Sequence, residues 1–441
     1  MSSSHPPLPP HRQAPRAAAA AEPGHEPLVL VVNRFDDEFG EYHRFLPEGG
    51  YRLAYLATAD AVAPLDRANA VATVVVPDLS AGTLLPHARE IAERHGPVAA
   101  VVALSEFDLD TAALLREALG VPGWSSNYVR RFRDKTVMKQ WLRYAGVRAP
   151  RFVHLDAHSE PSQVLGEIPL PLILKPRDGA ASRGVRLVRT KDELAAALRE
   201  IGEEAAGYEA EEYVEGQILH VDGIRRDGGF HCVTVSRYVN TCLDFVHGVP
   251  LGSSLLDDGA PRDELTGFAA DCLDALELWT GPFHLEVIVD GEGRPVFLEV
   301  GLRPGGAGVP FLHRDLYGID LYCEAFRTAL GLAPLSAPLV RPAGPGSGGW
   351  LVFPEPAELP AQVVSRTSLA GLVPEVYAEA LPEVGHVFDG DGGYDHAGGR
   401  VLLRGADEAA VRAAIERSVD AYRLGVVPAG TPAHDDERVA V

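Results

Sequence analysis

Two aliphatic runs, FHLEVIVD (283–290) and PVFLEVG (295–301), are separated only by GEGR. Each alternates with the period of two that marks a strand with one buried face, and so short a connection makes the pair a hairpin. Pairing Asp290 with Pro295 sets Glu286 directly opposite Glu299, because each step back along one strand matches a step forward along the other. Leu285, Val287, Val289, Val296, Leu298 and Val300 then share the opposite, aliphatic face. Directly opposed side chains have Cβ atoms roughly 4.5–5.5 Å apart, and like charges there repel. Something positive is therefore expected between the two glutamates. Two carboxylates on a rigid hairpin suit Mg²⁺, which takes about six oxygens and leaves several to water and substrate phosphates. If two ions bind, roughly 3.5–4 Å apart, Glu299 is the natural bridge. A solvated strand edge with two incidental glutamates is the plainer reading of the same residues.

The rhythm changes along the chain. Residues 1–26, rich in Pro, Ala and Ser without periodicity, are expected to be a disordered tail, with a second tail at 431–441. PLVLVVN, YRLAYLAT, VATVVVP and VAAVVAL alternate with helical stretches such as LDTAALLREALG. That alternation predicts βα units on a doubly wound parallel sheet, an N-terminal domain over 27–125. Next, RDKTVMKQWLRYAG places Val137, Met138, Trp141, Leu142 and Ala145 on one helical face, with Gly146 as the stop. Together with LPLILKP, a glycine-containing loop and TKDELAAALREIG, whose Thr190 and Glu193 spell a capping box, it predicts a small lobe over 126–207. Antiparallel strands predominate in a larger lobe over 208–345, with a helix around 262–279. Residues 346–430 read as a small C-terminal α+β lobe. The fold class expected is α/β and α+β, multidomain.

Composition narrows the function. A net charge of -22 over 441 residues repels nucleic-acid backbones at long range, so a nucleic-acid partner is not expected. No apolar run is long enough to span a bilayer and no charged-then-apolar leader opens the chain, so no membrane partner and a cytoplasmic location are expected. Cys232, Cys242, Cys272 and Cys323 have no CxxC spacing, which argues against a structural zinc site and a disulfide framework.

Lys175 ends the apolar strand LPLILK beside a loop holding Gly179, Ser182 and Gly184. An ammonium emerging there can meet phosphate oxygens while loop N–H groups wrap them, although a plain β-turn has the same composition. Lys135 sits at a helix start, where a cation is unfavourable unless an anion is near. EAEEYVEGQILHVDG (209–223) offers strand, glycine bend and strand, a stretch that can hold a planar purine through backbone groups; a glutamate-rich strand edge is the plainer alternative.

In their order along the chain, RDKTVMKQWLRYAGVRAP, LILKPRDGAASRGVRLV, EEYVEG…HVDG, HLEVIVD and FLEVGLRPGGAG resemble the ATP-grasp superfamily, and its carboxylate–amine ligases of the amino-acid and peptide type above all. The resemblance covers roughly residues 28–330 and implies the ATP-grasp fold, with ATP and Mg²⁺ (or Mn²⁺) as cofactors. It implies that Lys135 and Lys175 grip the ATP phosphates and that the loop with Ser182 and Gly184 covers them. Glu211, Glu212, Tyr213 and Val214 match the interlobe hinge at the adenine, with backbone at Glu212 and Val214 meeting its edge. Glu286 and Glu299 match the metal ligands, and Arg303 matches the arginine that steadies the transferred phosphate and the acyl group. Backbone N–H groups near Gly305 and Gly306 would stabilise an oxyanion. Two positions depart from the family: Gly301 stands where Asn is usual after the second glutamate, and Ile218 where a ribose-binding carboxylate is often found, with His220 or Asp222 as substitutes. The implied reaction is amide or peptide bond formation through an acyl phosphate. The implied partners are small-molecule carboxylate and amine substrates, and a homodimer is admissible. The alternatives are a biotin-type carboxylase, against which no AMKM-like attachment sequence is found, and a non-catalytic nucleotide-binding regulatory protein.

Overall fold

The computed structural model describes residues 26–47, 50–179, 182–339, 346–390 and 397–430. The expected tails, Glu26 apart, lie outside these residues. Strands β1 (Leu28–Asn33), β2 (Arg52–Ala57), β3 (Ala72–Val75) and β4 (Val98–Val102) pair in parallel in the order β3-β2-β1-β4. β1 is buried along its whole length, as a parallel strand covered on both faces must be. Helices α1 (Ala81–His95) and α2 (Leu109–Leu119) pack Leu84, Ala88, Ile91, Ala112 and Leu115 against Leu28, Leu30 and Val32. The strand order reverses between β1 and β4. The turns leaving those two strands, with Arg34 and Phe35 on one and Glu106 on the other, open the crevice where such sheets receive ligands.

The small lobe is narrower than its sequence suggests. Helices α3 (Ser126–Arg133) and α4 (Lys135–Tyr144) bury Val129, Phe132, Met138 and Leu142 against Leu219, Val221, Leu285 and Val287, which lie on strands of the larger lobe. Their apolar stripes match that sheet, so they belong to its core rather than to the 126–207 lobe. Four antiparallel strands remain: β5 (Phe152–His154), β6 (Leu172–Pro176), β7 (Arg186–Val188) and β8 (Tyr208–Glu212), in the order β5-β8-β6-β7 and packed on α5 (Pro161–Glu167) and α6 (Lys191–Ile201). β8 thus falls in this sheet, and the boundary expected at 207 moves past Glu212. A strand with three buried residues between two partners satisfies its backbone on both edges. The capping box of α6 is half formed: Thr190 Oγ1 accepts the Glu193 N–H at 3.2 Å, but the Glu193 carboxylate takes the N–H of Arg189 at 2.7 Å.

The larger lobe follows with β9 (Gly216–Arg226), β10 (Gly229–Tyr238), α7 (Cys242–Val246), β11 (Leu251–Leu255), α8 (Ala260–Ala275), β12 (Gly281–Asp290), β13 (Pro295–Gly301), α9 (Val309–Tyr317) and α10 (Leu321–Ala329). Of the strands after it, β14 (Ser347–Phe353), β15 (Ala361–Arg366), β16 (Val376–Ala380), β17 (Val387–Phe388), β18 (Gly399–Gly405) and β19 (Leu424–Pro428), the first, third and fifth continue the same sheet. Its order is β13-β12-β9-β10-β11-β14-β18-β16, so half the strands of the C-terminal lobe expected at 346–430 extend the larger lobe's sheet, while β15, β17 and β19 form a sheet of their own in the order β17-β15-β19. The reason is β11: buried throughout and bonded to β10 on one edge, it needs a partner on the other, which β14 supplies. The final helix, α11 (Glu408–Ala421), packs Val411, Ala414 and Ile415 on Leu351, Val401 and Leu403.

The hairpin of β12 and β13 carries one irregularity. Glu286 lies opposite Glu299 and Leu285 opposite Val300, but Val287 lies opposite Phe297 and Val289 opposite Pro295. The register shift is a bulge, with Leu298 the extra residue. It brings Phe297 into the cluster of Leu285, Val287 and Val300 where Val296 and Leu298 were expected, although Val296 is itself buried. Asp290 therefore does not pair with Pro295; its carboxylate accepts the N–H groups of Glu292 and Arg294, at 2.9 and 3.0 Å, and closes the turn.

Candidate functional site

The start of α4 and the glycine-containing loop are bound together before any ligand is considered. Asp134 caps the helix, accepting from the N–H of Thr136 at 3.0 Å and of Val137 at 3.3 Å, and it also holds Arg177 Nη2 at 2.6 Å. The Lys135 N–H donates to the Arg177 carbonyl at 2.8 Å. Lys135 Nζ reaches the Gly179 carbonyl at 2.5 Å and Glu299 Oε2 at 3.2 Å. The anion that a lysine at a helix start requires is thus supplied by the hairpin. Within the loop Ser182 and Gly184 both have positive φ, and a Cβ on Gly184 would crowd Pro176 and the Tyr208 hydroxyl.

Lys175 leaves β6 into a buried ionic cluster that the sequence reading did not contain. Its Nζ donates to Glu211 Oε1 at 2.8 Å, while Lys139 Nζ donates to Glu209 Oε1 at 2.6 Å and to Glu211 Oε2. All four side chains are buried. Burial would push the Glu211 carboxyl up, but Lys139 and Lys175 outweigh it and hold it low. Burial likewise opposes the charge on Lys175, and the carboxylates of Glu211, Glu209 and Glu299 more than restore it. Lys139 could have been found from spacing alone, since it stands four residues after Lys135 on the same helix face.

In the hinge, the Glu212 N–H is already bonded to the Arg151 carbonyl at 2.8 Å, which leaves its own carbonyl as the group to offer a ligand. Glu211 points into the lysine cluster, and Tyr213 and Val214 link β8 to β9. β9 begins at Gly216, where a Cβ would lie 2.3 Å from the Val289 carbonyl oxygen. Ile218 packs against the apolar core and brings no polar group.

Along β9 and β12 one face is polar. His220 and Asp222 alternate with Leu219 and Val221, and Glu286 lies opposite His220, as His284 does opposite Asp222. The Asp222 carboxylate binds His220 Nδ1 at 2.5 Å and His284 Nδ1 at 2.7 Å, and His220 Nε2 meets Ser253 Oγ at 2.7 Å. His284 Nε2 stands 3.6 Å from Glu286 Oε1, which also accepts from the Tyr238 hydroxyl at 2.9 Å. Burial would raise the Glu286 carboxyl, yet the bonds from His284 and Tyr238 outweigh it and keep it ionised. Burial disfavours charge on His284, but Asp222 reverses that and lifts its pKa to about 9. His220 and Asp222 thus hold His284 and the floor of the site. Their own spacing hints at this; the partner His284 does not.

The turn after β13 completes the arrangement. Arg303 Nε donates to Glu106 Oε2 at 2.8 Å and its Nη1 to the Pro304 carbonyl at 2.9 Å. A Cβ on Gly305 would lie 2.2 Å from Asp222 Oδ1 and 2.8 Å from Val309 Cγ1, whereas one on Gly306 would meet nothing within 4 Å. Gly305→Ala should therefore push the turn off Asp222 and destabilise the protein by about 1–3 kcal/mol, while Gly306→Ala should leave thermal unfolding unchanged. Equal melting curves for the two variants would contradict this packing.

Residues 168–310 match the family model described as an ATP-grasp domain, a span that includes Lys175, the hinge, both glutamates, Arg303 and both turn glycines. The chain carries an ATP-grasp domain. Among relatives, an L-arginine-specific L-amino acid ligase of Bacillus subtilis is 23% identical over 234 residues, 52% of this chain and 56% of that protein. A D-alanine--D-alanine ligase of Bacillus anthracis is 33% identical over 104 residues, 23% of this chain and 34% of that one. The chain spans about half or less of the length of these curated relatives. The crystal structure of an L-amino acid ligase from Bacillus licheniformis superposes with a TM-score of 0.71 at 19% identity, covering 90% of this chain and 98% of that one. The likeness to that fold thus extends well beyond residues 168–310. Among the described residues, no helix is long and apolar enough to cross a membrane.

Proposed function

We propose that this chain is an ATP-dependent ligase that joins a carboxylate to an amine on amino-acid-like small molecules, through an acyl phosphate, with release of ADP and phosphate. The observation that carries it is the position of one ammonium: Lys135 Nζ lies 3.2 Å from Glu299 and 2.5 Å from the Gly179 carbonyl. Helix start, phosphate loop and carboxylate hairpin therefore converge on one point. In this reading Lys135 and Lys175 hold the ATP phosphates under the loop containing Ser182 and Gly184. Glu211, Glu212, Tyr213 and Val214 form the adenine hinge, the Glu212 carbonyl and the Val214 N–H meeting the base.

The hairpin's donor set fits Mg²⁺, with Mn²⁺ as a substitute. Both donors are hard carboxylate oxygens, Glu286 is held ionised, and two opposed like charges are only partly relieved by Lys135. Glu286 and Glu299 would hold the ion, which supplies neutralisation of the charge on the transferred phosphate. Gly301 has no side chain to add a ligand.

The substrate carboxylate oxygen attacks the γ-phosphorus, the bond to the β-phosphate oxygen breaks, and ADP leaves. The amine then attacks the acyl carbon, phosphate departs with the electron pair of the C–O bond, and the nitrogen gives up a proton to the departing phosphate or to water. Neither step requires a protein nucleophile, so the chain's contribution is positioning and charge neutralisation. Arg303 steadies the phosphate and the acyl group, and the N–H groups at Gly305 and Gly306 face the developing oxyanion. The partners are then the two small-molecule substrates, and the place of work is the cytoplasm.

A screen of amino acids in pairs, read by ADP release and product mass, tests the proposal. ADP release that requires both an acid and an amine supports it. Bicarbonate-dependent turnover would instead indicate a carboxylase, and tight ATP binding with no turnover on any pair a non-catalytic role.

A further inference from the structure

We infer that Glu106, in the turn after β4, is the positioning residue for Arg303 and couples it to the phosphate loop. The inference rests on the reading of Arg303 as the group that meets the transferred phosphate. Glu106 sits in the crevice where the N-terminal strand order reverses, some two hundred positions from its partner in sequence. Its carboxylate is divided between two arginines, Oε2 accepting from Arg303 Nε and Oε1 from Arg133 Nη1, both at 2.8 Å. The Glu106 side chain is only 14% exposed, so these charge-assisted bonds are little screened by water. With Nε held by Glu106 and Nη1 by the Pro304 carbonyl, the planar guanidinium cannot turn about its stem, and Nη2 is the nitrogen with no partner among the described residues. On its other side Arg133 Nη2 donates to the Asp178 carbonyl at 3.3 Å, one residue before Gly179, which Lys135 grips. One carboxylate therefore joins the N-terminal domain, the root of the loop and the arginine. Gly301 leaves the space in which this happens: a Cβ there would lie 3.3 Å from Glu106 Oε2 and 3.4 Å from Arg303 Cγ.

Charge and geometry predict opposite outcomes when the carboxylate is neutralised. If Glu106 merely crowded Arg303 with negative charge, Glu106→Gln would strengthen anion binding. If it aims the guanidinium, the same change weakens anion binding, by roughly ten- to a hundredfold for a group displaced by about 1 Å. Calorimetry of inorganic phosphate binding to full-length protein saturated with MgADP decides between them. Glu106→Gln should weaken phosphate binding at least about tenfold while MgADP affinity stays within about twofold, and where a substrate pair is known it should raise KM for the carboxylate and lower kcat with KM for ATP nearly constant. Gly301→Ala, which presses on the same carboxylate from the backbone, should shift phosphate binding in the same direction by less, and it decides the matter should Glu106→Gln fail to fold. Phosphate binding that is unchanged or tighter in the variant that folds, or absent in the wild type, overturns the inference. Absence of turnover on every acid–amine pair sinks the ligase reading instead, and the phosphate measurement still stands.

Discussion

Glu299→Gln should abolish amine-dependent ADP release, lowering kcat by at least about 10²–10³-fold, a loss comparable to removing a principal electrostatic group from an active site. The substitution keeps the size of the side chain and removes its charge. Glu299 is 35% exposed, and among the described residues it pairs with Lys135 at 3.2 Å; Lys135 is itself buried but keeps the Gly179 carbonyl as a partner, so folding should survive. What should not survive is the balance at the point where loop, helix and hairpin meet. Lys135 would lose its anion, and the hairpin would keep one carboxylate in place of two. The apparent affinity for Mg²⁺ measured through turnover should fall by about tenfold or more. Glu286→Gln should differ in one respect: Glu286 is buried with Tyr238 and His284 bonded to it, so its thermal unfolding should drop along with turnover. Full activity in Glu299→Gln would remove the basis of the proposed metal site.

Lys139→Met should cost about 3–5 kcal/mol of stability in the smaller lobe, because it leaves two buried carboxylates to share a single lysine. Lys139 is 1% exposed, lies between Glu209 and Glu211, and sits 4.7 Å from the Phe152 ring. Met matches the stem in volume, so the loss is electrostatic rather than a cavity. Adding Glu209→Gln should recover much of it, since replacing both members of a buried pair is far less costly than orphaning one. Denaturant unfolding of the single and double variants reads both effects. A single variant within about 1 kcal/mol of the wild type would show that the four charges do not depend on one another.

Much of the site was legible because it repeats locally. The period of two in β12 and β13 put Glu286 across from Glu299, and the strand–loop pattern put Lys175 at a strand end and Lys135 at a helix start. The bulge at Leu298 has no signature in the sequence, because a single extra residue leaves both flanking runs aliphatic and only packing decides that Phe297 faces inward. The lobe boundaries differ from the expected ones for a related reason. α3 and α4 carry clear apolar stripes, but a stripe does not say which sheet it will cover. The buried β11 edge likewise drew β14 into a sheet that the sequence would have ended sooner.

The amino-acid order by itself determined the rhythm of elements, the turns that separate them, and the opposed carboxylates at 286 and 299, since each depends on neighbours a few residues apart and on the fixed periods of helix and strand. Only the tertiary structure decided that Lys139 would share Glu209 and Glu211 with Lys175, that Asp222 would hold His284 as well as His220, and that Glu106 would reach Arg303 from another domain. The contacts that Lys139, His284 and Glu106 bring to these groups join residues 62 to 197 positions apart. Long-range pairing of charges is set by which desolvated surfaces meet when the layers close, and no local period encodes that.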